Sequence, residues 1–274
     1  MRTFVINLER AAERRAHMET LLGRAGIAFE RFDAVDGDRA RRHPVFDQIP
    51  AVAARPWTAG ELGCLLSHYE VWRTIAAGPD RFGAVLEDDL FIDPRLQKLL
   101  GGGCPLPRDA DLIKLEAVGY AALLSRRALS HPGGPAFHRL YSRLYGTGAY
   151  LISRRTARFL LGAVPAFDMP VDELLFSPRH RLGRRFRTYQ AVPGLAMQSS
   201  LLPDAAARPA LKSRLEVERF TNSFLHDRQN PNPTVLKEPP DLWQRLKATP
   251  LEAMQRWRQK AFMRPMLIEF GSDP

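Results

Sequence analysis

The sequence predicts an α/β fold in which a large domain, residues 1–200, precedes a helical, proline-punctuated extension, residues 201–274. The chain opens with the apolar run TFVINL, continues with helical spacing that ends at Gly26, and returns to an apolar run, IAFERFDAV. Strand, helix and strand in this order are typical of a mostly parallel sheet flanked by helices. Further apolar runs bounded by glycine, proline or charge continue the pattern up to TYQAV, which starts at Thr188.

The composition is that of a folded protein with a sizeable core. Hydrophobic residues make up 45% of the 274 residues, and no low-complexity tract or internal repeat interrupts them. The first residues turn polar too soon for a signal peptide, and no apolar stretch approaches the roughly 18 residues of a membrane span. Cys64 and Cys104 form neither a disulfide framework nor a zinc motif. We therefore expect a cytoplasmic protein.

The net charge of +10 is concentrated in the middle of the chain, where residues 101–200 carry 14 basic and 6 acidic side chains. A surface of this kind could bind nucleic acid, anionic lipid or a phosphorylated small molecule, and charge alone does not choose among them. The basic run RHRLGRRFR, starting at Arg179, fits either a phosphate site or a solvated face, and we favour the solvated face.

A helix is predicted to begin at Thr58, because Thr58 and Glu61 have the spacing of a capping box. Its apolar stripe recurs at intervals of three and four residues, at Leu62, Leu65, Leu66, Tyr69, Trp72 and Ala76. Gly78 ends the helix, and the preceding residues 37–57 are predicted to form a connecting loop. His68 lies beside the stripe, where a packed histidine is the ordinary interpretation and an active-site residue the alternative.

Three consecutive carboxylates, Glu87, Asp88 and Asp89, end an apolar strand in the stretch AVLEDDLFID. In an extended strand Glu87 and Asp89 would point to one face and Asp88 to the other. The carboxyl ends of strands are where open α/β sheets bind ligands. A hard divalent cation would offset the repulsion and attract a nucleotide diphosphate. A solvated acidic turn paired with arginines explains the same spacing.

Several segments, in order, resemble glycosyltransferase family 25, the lipopolysaccharide and lipooligosaccharide galactosyltransferase type. They are VINLERAAERR, GELGCLLSHYEVW, VLEDD, LIKLE, GTGAYLIS and PVDELLF, and together they span roughly residues 1–200. The resemblance implies a GT-A-like (Rossmann-like) fold and UDP-galactose as the usual donor. It also places the Glu-Asp-Asp segment in the role of the family's Asp-x-Asp-type metal motif, with Mn²⁺ or Mg²⁺ as the cofactor.

Carried over by position, the resemblance makes Asp89 a direct metal ligand, with Glu87 and Asp88 completing the metal and ribose environment. It also places a second group near the nucleotide, namely Asn7, Arg10 and Arg14. The alternative for these three is the start of a helix with exposed arginines. A divalent cation would offset the charge on the departing diphosphate while the sugar passes through an oxocarbenium-like state.

A β-linkage made from an α-linked donor requires inversion, and inversion requires a base for the acceptor hydroxyl. Asp172, within the segment PVDELLF, is our candidate, and its rivals are Asp168, Glu173 and Glu116. The structural alternative for Asp172 is helix N-capping. His68 falls within a family-like segment, which favours an active-site role. Gly146 and Gly148 fit either close approach of substrate or a tight turn before a strand.

The end of the chain, from Leu242 to Phe270, combines tryptophans and leucines with arginine and lysine. This composition fits either helices lying on an anionic membrane or helices packed on the main domain or on a second subunit. An acceptor anchored in lipid would favour peripheral attachment to the cytoplasmic face of the inner membrane.

The predicted activity is metal-dependent, inverting transfer of a hexose to a sugar hydroxyl of a lipooligosaccharide, lipopolysaccharide or similar surface glycan, with galactose from UDP-galactose as the expected sugar. The partners would be a UDP-sugar donor and a glycan or glycolipid acceptor, with no nucleic acid expected. Two alternatives remain: a basic nucleic-acid-binding protein, and a catalytically inactive family member that acts as a scaffold.

Overall fold

A computed structural model of the chain describes residues 1–51, 56–201 and 262–271. Within these residues the main sheet has nine strands in the order β11-β6-β7-β9-β5-β8-β3-β1-β2, and β10 and β4 form a separate pair. The strands are β1 (Thr3–Asn7), β2 (Glu30–Asp33), β3 (Phe82–Glu87), β4 (Leu90–Ile92), β5 (Leu112–Lys114), β6 (Ala121–Leu129), β7 (Ala136–Leu140), β8 (Ala149–Ser153), β9 (Thr188–Val192), β10 (Ala196–Gln198) and β11 (Met263–Leu267).

Five α-helices lie within the described residues: α1 (Ala12–Arg24), α2 (Ala59–Ala77), α3 (Arg95–Leu100), α4 (Arg154–Leu161) and α5 (Val171–Phe176). The predicted loop 37–57 contains two short 3-10 helices in its described part, Gly37–Arg42 and Phe46–Gln48. None of the helices in the described ranges has the length and apolar character needed to cross a membrane.

The predicted α/β fold is confirmed. Strands β2, β1 and β3 are parallel neighbours, and β5 and β9 form a second parallel pair. The antiparallel strand β8 joins these two groups, so β5 and β9 run in the same direction as β3. The hairpin β6-β7 and the strand β11 add antiparallel pairings that local periodicity did not indicate. The sheet is therefore mixed, with most strands running one way.

Helices α1 and α2 pack on opposite faces of β1 because strand side chains alternate between faces. Phe4 and Ile6 belong to one buried cluster with Trp72 of α2. Val5 belongs to another cluster with Leu22 of α1. The sheet is thus covered on both sides, and its carboxyl-terminal edge is framed by the first turns of the helices.

Helix α2 begins where the capping box placed it. The Thr58 side chain accepts a hydrogen bond from the Glu61 amide, and the Glu61 carboxylate accepts one from the Thr58 amide, each over 3.1 Å. Ser153 likewise caps α4, accepting from the Thr156 amide. Local sequence therefore determines where both helices start.

The helical extension predicted for residues 201–274 is wrong for the part that the structure describes. Residues 263–267 form β11, which pairs antiparallel with β6, and Ile268 is fully buried. The cause is long-range pairing, since β6 offers an edge that a short apolar segment can complete. The tryptophan-rich stretch before residue 262 lies outside the described residues. The domain boundary near residue 201 stays a prediction.

Candidate active site

A pocket opens at the carboxyl-terminal ends of β1 and β3, which are parallel neighbours with Ile6 paired to Glu87. It contains about 730 Å³ of space, open solvent included. The lining comes from the loop after β1, the loop after β2, the first half of α2 and the end of β3. Its polar and charged members are Arg10, Arg14, Asp36, Cys64, Ser67, His68, Glu87, Asp88 and Asp89.

All three consecutive carboxylates line this one pocket. Strand β3 ends at Glu87, and Asp88 and Asp89 form the turn that leads into β4. The predicted alternation of faces is therefore wrong, because alternation holds only while the backbone stays extended. Asp88 and Asp89 are both nearly buried, with 5% and 2% of their surface exposed, which excludes a solvated acidic turn.

Asp88 is held by two side chains, one at the end of β1 and one in α1. One oxygen accepts a 2.6 Å hydrogen bond from the Asn7 side chain, and the other lies 3.0 Å from the guanidinium of Arg14. Burial raises the pKa of Asp88, and Arg14 and Asn7 oppose the rise. Asn7 is buried and outside the pocket lining, so its contact is with Asp88 rather than with the open space.

The Glu87 carboxylate contacts side chains from three parts of the fold: a loop, β10 and α2. It accepts a 2.6 Å hydrogen bond from the Thr147 hydroxyl and a 3.2 Å bond from the Gln198 amide of β10. Its third contact, over 3.3 Å, is with Nε2 of His68 on α2. The small β4-β10 pair therefore serves to bring Gln198 to the end of β3.

His68 is both packed and part of the pocket. Its Nδ1 atom lies 2.8 Å from the Tyr150 hydroxyl, which also accepts a 2.8 Å bond from the Trp72 indole. Burial raises the pKa of Tyr150 well above its ordinary value, so this phenol stays protonated. The chain of contacts fixes the imidazole ring with Nε2 directed at Glu87.

The rim opposite the carboxylates consists of the loop after β2 pressed against α2. A side chain on Gly63 would come within 2.8 Å of the Val35 carbonyl, so only glycine allows this approach. Ser67 accepts a 2.8 Å bond from the Val35 amide. Asp36 follows in the same loop and pairs with Arg10, whose guanidinium holds the pKa of Asp36 below its ordinary value.

Asp172 does not line the pocket. It is buried behind the loop 146–148, and its side chain accepts bonds from the amides of Gly146 and Glu173, each over 3.0 Å. The N-cap residue of α5 is Pro170, and Asp172 lies in the first turn, where it accepts a bond from the free amide of Glu173. Its other oxygen holds the loop that carries Thr147, so the carboxylate both stabilises the helix start and supports that loop.

The rivals of Asp172 have partners of their own. Glu116 lies 2.8 Å from the ammonium of Lys114 and accepts a 3.1 Å bond from the Gly148 amide. Glu173 pairs with Arg143, and Asp168 bonds to His180, at 3.0 and 2.7 Å. Gly146 and Gly148 lie against Glu116, where an added Cβ would meet its carboxyl group within 2.8 and 3.2 Å. Close packing therefore accounts for both glycines.

The basic run from Arg179 to Arg187 stays outside the pocket lining, and its arginines are exposed. Arg187 pairs with Asp109 and Arg181 lies 3.5 Å from Asp168. The interpretation of this run as a solvated face is therefore confirmed.

The residues that sequence reasoning missed are mostly those that support the carboxylates: Asp36, Lys114, Thr147 and Gln198. The role of Lys114 could have been predicted, since a lysine in the middle of the apolar segment LIKLE has to find a buried partner. The role of Gln198 could not have been predicted from local sequence, because its approach to Glu87 depends on the pairing of β10 with β4.

The donor set fits a hard divalent cation. Glu87 and Asp89 lie in the pocket beside Asp88, whose two oxygens contact Asn7 and Arg14. Carboxylate oxygens are the ligands that Mg²⁺ and Mn²⁺ prefer. Arg10 and Arg14 add positive charge at the same pocket, which favours an anionic ligand beside the cation.

A charged pocket at the carboxyl ends of parallel strands is the arrangement in which open α/β sheets bind their ligands. Fold and pocket together define an α/β enzyme. The family model described as "Glycosyltransferase family 25 (LPS biosynthesis protein)" matches residues 1–175. The chain belongs to glycosyltransferase family 25.

Curated relatives agree with this assignment. The chain is 31% identical over 243 residues to a lacto-N-neotetraose biosynthesis glycosyltransferase of Neisseria meningitidis serogroup A, with 84% of this chain and 86% of the relative covered. The serogroup B relative of the same description is 33% identical, with 65% and 68% covered. A procollagen galactosyltransferase of Xenopus laevis is 37% identical, with 63% of this chain and 30% of the relative covered.

Proposed function

We propose that the chain transfers a hexose, galactose from UDP-galactose, with inversion to a sugar hydroxyl of a lipooligosaccharide or similar surface glycan. The observation that carries the proposal is the pocket in which Glu87, Asp88 and Asp89 meet Arg10 and Arg14. Galactose as the sugar is supported by a relative named as a procollagen galactosyltransferase. The acceptor class is supported by the family's description as an LPS biosynthesis protein.

The donor diphosphate would lie between the carboxylates and the two arginines. Glu87 and Asp89 would hold Mn²⁺ or Mg²⁺, and a bound cation supplies Lewis-acid stabilisation of the charge on the departing diphosphate. Arg14 is only 13% exposed and already paired with Asp88, so its position is fixed before the donor binds. Arg10 is 52% exposed and pairs with Asp36, and it would leave that carboxylate to contact the phosphates.

We propose Asp172 as the base that takes the proton of the acceptor hydroxyl, a role that requires the loop 146–148 in front of it to move aside when the acceptor binds. Its support is connectivity, since it bonds to Gly146, one residue from the Thr147 that contacts Glu87. The same loop carries Tyr145, which is 36% exposed and lies edge-on to Tyr120 with ring centroids 6.5 Å apart. Exposed aromatic rings of this kind can stack on the apolar face of an acceptor sugar.

The alternatives have less support. A nucleic-acid-binding protein is favoured only by the charge of +10, and the pocket carboxylates would repel phosphate without a cation. An inactive scaffold would have no use for three buried or half-buried carboxylates in one pocket. Peripheral attachment to a membrane, and with it a place at the cytoplasmic face, would suit a glycolipid acceptor.

The direct test is a transfer assay with UDP-galactose, Mn²⁺ and a galactose-accepting oligosaccharide. Asp89→Asn should lower kcat at least about 100-fold, the usual cost of losing one stabilising group at a reacting phosphate or oxyanion. Asp109→Asn is the matched control, because Asp109 lies outside the pocket and pairs with Arg187. Transfer that is unaffected by Asp89→Asn, or absent with every UDP-sugar, would contradict the proposal.

A further inference from the structure

Cys64 and His68 lie one helical turn apart on the same face of α2, and Glu87 faces them from the end of β3. One ligand atom of each residue, the sulfur, an imidazole nitrogen and a carboxylate oxygen, lies within 4.8 Å of the other two. All three residues line the pocket. This set differs in chemistry from the carboxylates Glu87 and Asp89, because two of its three ligands are soft or intermediate donors.

The imidazole is already oriented for a cation. Its Nδ1 atom contacts the Tyr150 hydroxyl, which holds the ring with Nε2 directed at Glu87, and cation binding would place the ring proton on Nδ1 so that the Nε2 lone pair binds the cation. A hydrogen-bond partner on the second ring nitrogen is what fixes a metal-binding histidine. The separation of Nε2 from the Glu87 oxygen is 3.3 Å. Two ligands bound to one tetrahedral zinc ion are about 3.3–3.8 Å apart, given bonds of about 2.0–2.3 Å.

We propose that Cys64, His68 and Glu87 form a binding site for a thiophilic divalent cation of the Zn²⁺ class. Cys64 is half-buried on the pocket wall, so rotation of its thiol closes the remaining separation. The fourth position faces the pocket and is left to water. Binding exchanges the thiol proton for the cation, and the proton leaves to solvent.

The site has a functional consequence, which rests on the proposed function. Glu87 is common to the Zn²⁺ site and to the carboxylate pair that would hold Mn²⁺ or Mg²⁺. Zn²⁺ bound through Glu87 would draw this carboxylate towards Cys64 and His68 and place a second dipositive charge beside the Mn²⁺ position, so Zn²⁺ should inhibit transfer by competing with Mn²⁺. Binding itself does not depend on transfer and can be measured alone.

The test uses Co²⁺ as a spectroscopic substitute for Zn²⁺ on the full-length chain. Sulfur ligation gives a thiolate-to-cobalt charge-transfer band, and the chain has only two cysteines. We expect the band in the wild type, its loss in Cys64→Ser, and its retention in Cys104→Ser, the matched control in the opposite core cluster. His68→Gln should weaken Co²⁺ binding at least about tenfold. Thermal melts confirm that each variant is folded.

A second measurement avoids substitutions. Zn²⁺ should protect Cys64 of the wild type from alkylation by iodoacetamide, whereas Mn²⁺ should not, and peptide mass spectrometry reads the modified residue. A missing charge-transfer band, a band that survives Cys64→Ser, or alkylation unaffected by Zn²⁺ would overturn the inference. None of these readouts uses a sugar donor. The metal site can therefore be confirmed even if the proposed transfer activity is refuted, and it can be refuted even if that activity is confirmed.

Discussion

Lys114 and Glu116 form an ion pair with almost no exposed surface, directly behind the loop that supports Glu87. Lys114 also donates a 2.5 Å bond to the Gly146 carbonyl, and its ammonium lies 4.6 Å from the centre of the Phe176 ring. Burial raises the pKa of Glu116, and Lys114 opposes the rise. A charge placed this deep needs its partner, because the interior cannot solvate it.

Removing Lys114 alone should therefore be costly. We expect Lys114→Met to lower the free energy of unfolding by about 3–5 kcal/mol, the usual effect of leaving a buried charge uncompensated. The double variant Lys114→Met, Glu116→Gln should recover most of that loss, since neither charge remains. Urea unfolding at neutral pH measures both. A single variant within about 1 kcal/mol of the wild type would show that the pair is not needed for stability.

A second buried residue, His138, makes the free energy of unfolding depend on pH. It is buried in β7 and bonds to the Ser125 carbonyl over 2.7 Å, and burial lowers its pKa below the ordinary value of 6.5. The unfolded chain then binds the proton more readily than the folded chain. Stability is complete above pH 6.5 and is lost as the pH falls through the window between 6.5 and the lower folded-state pKa.

The slope attributable to one proton is at most about 1.4 kcal/mol per pH unit. His138→Gln should flatten the dependence of unfolding free energy on pH between about pH 7.5 and 5. An unchanged slope in His138→Gln would refute this assignment.

At the scale of elements, the contact between α2 and the loop after β2 shapes the pocket rim. Gly63 and Gly37 let the two backbones approach, and an added Cβ at Gly63 would meet three backbone atoms within 3.1 Å. The atoms that an added Cβ would meet, at Gly63 and at Gly37 alike, are backbone atoms, so no flexible side chain could move aside to make room. The rim that carries Asp36 therefore depends on the absence of a side chain.

Gly63→Ala should lower the unfolding free energy by about 1–3 kcal/mol, the range for forcing an extra carbon into a packed contact. Gly23→Ala is the matched control, because Gly23 also lies in a helix but nothing approaches its added Cβ within 4 Å. That control should gain about 0.5–1 kcal/mol from helix propensity. If both variants respond alike, the packing account of Gly63 is wrong.

Sequence predicted the elements whose signals are local and missed those that depend on distant partners. The start of α2 follows from Thr58 and Glu61, and β1 and β3 follow from their apolar runs. Strand β11 could not be predicted, because residues 263–267 become a strand only by pairing with β6, more than 130 residues earlier. The turn at Asp88 and Asp89 could not be predicted for a similar reason. The chain turns there to enter β4, and β4 is held in place by its pairing with the distant strand β10.

For the whole molecule, the pocket is assembled from residues spread between Ile6 and Asp89, with support from as far away as Gln198. The family resemblance indicated Arg10, Arg14, His68 and the three carboxylates, and the fold brings all six to one pocket. Asn7 and Asp172 also came from the resemblance, and they lie behind it. No spacing rule separates these two groups, because facing or leaving the pocket depends on how the sheet edge and helices pack.

The central claim is that this pocket binds a nucleotide diphosphate together with a divalent cation. Calorimetric titration of UDP into the full-length chain, with and without Mn²⁺, tests it directly. We predict that Mn²⁺ raises the UDP affinity at least about tenfold, about 1.4 kcal/mol, in the wild type and in Asp109→Asn, and not in Asp89→Asn. UDP affinity that is the same without Mn²⁺, or an Mn²⁺ effect that survives Asp89→Asn, would contradict the account.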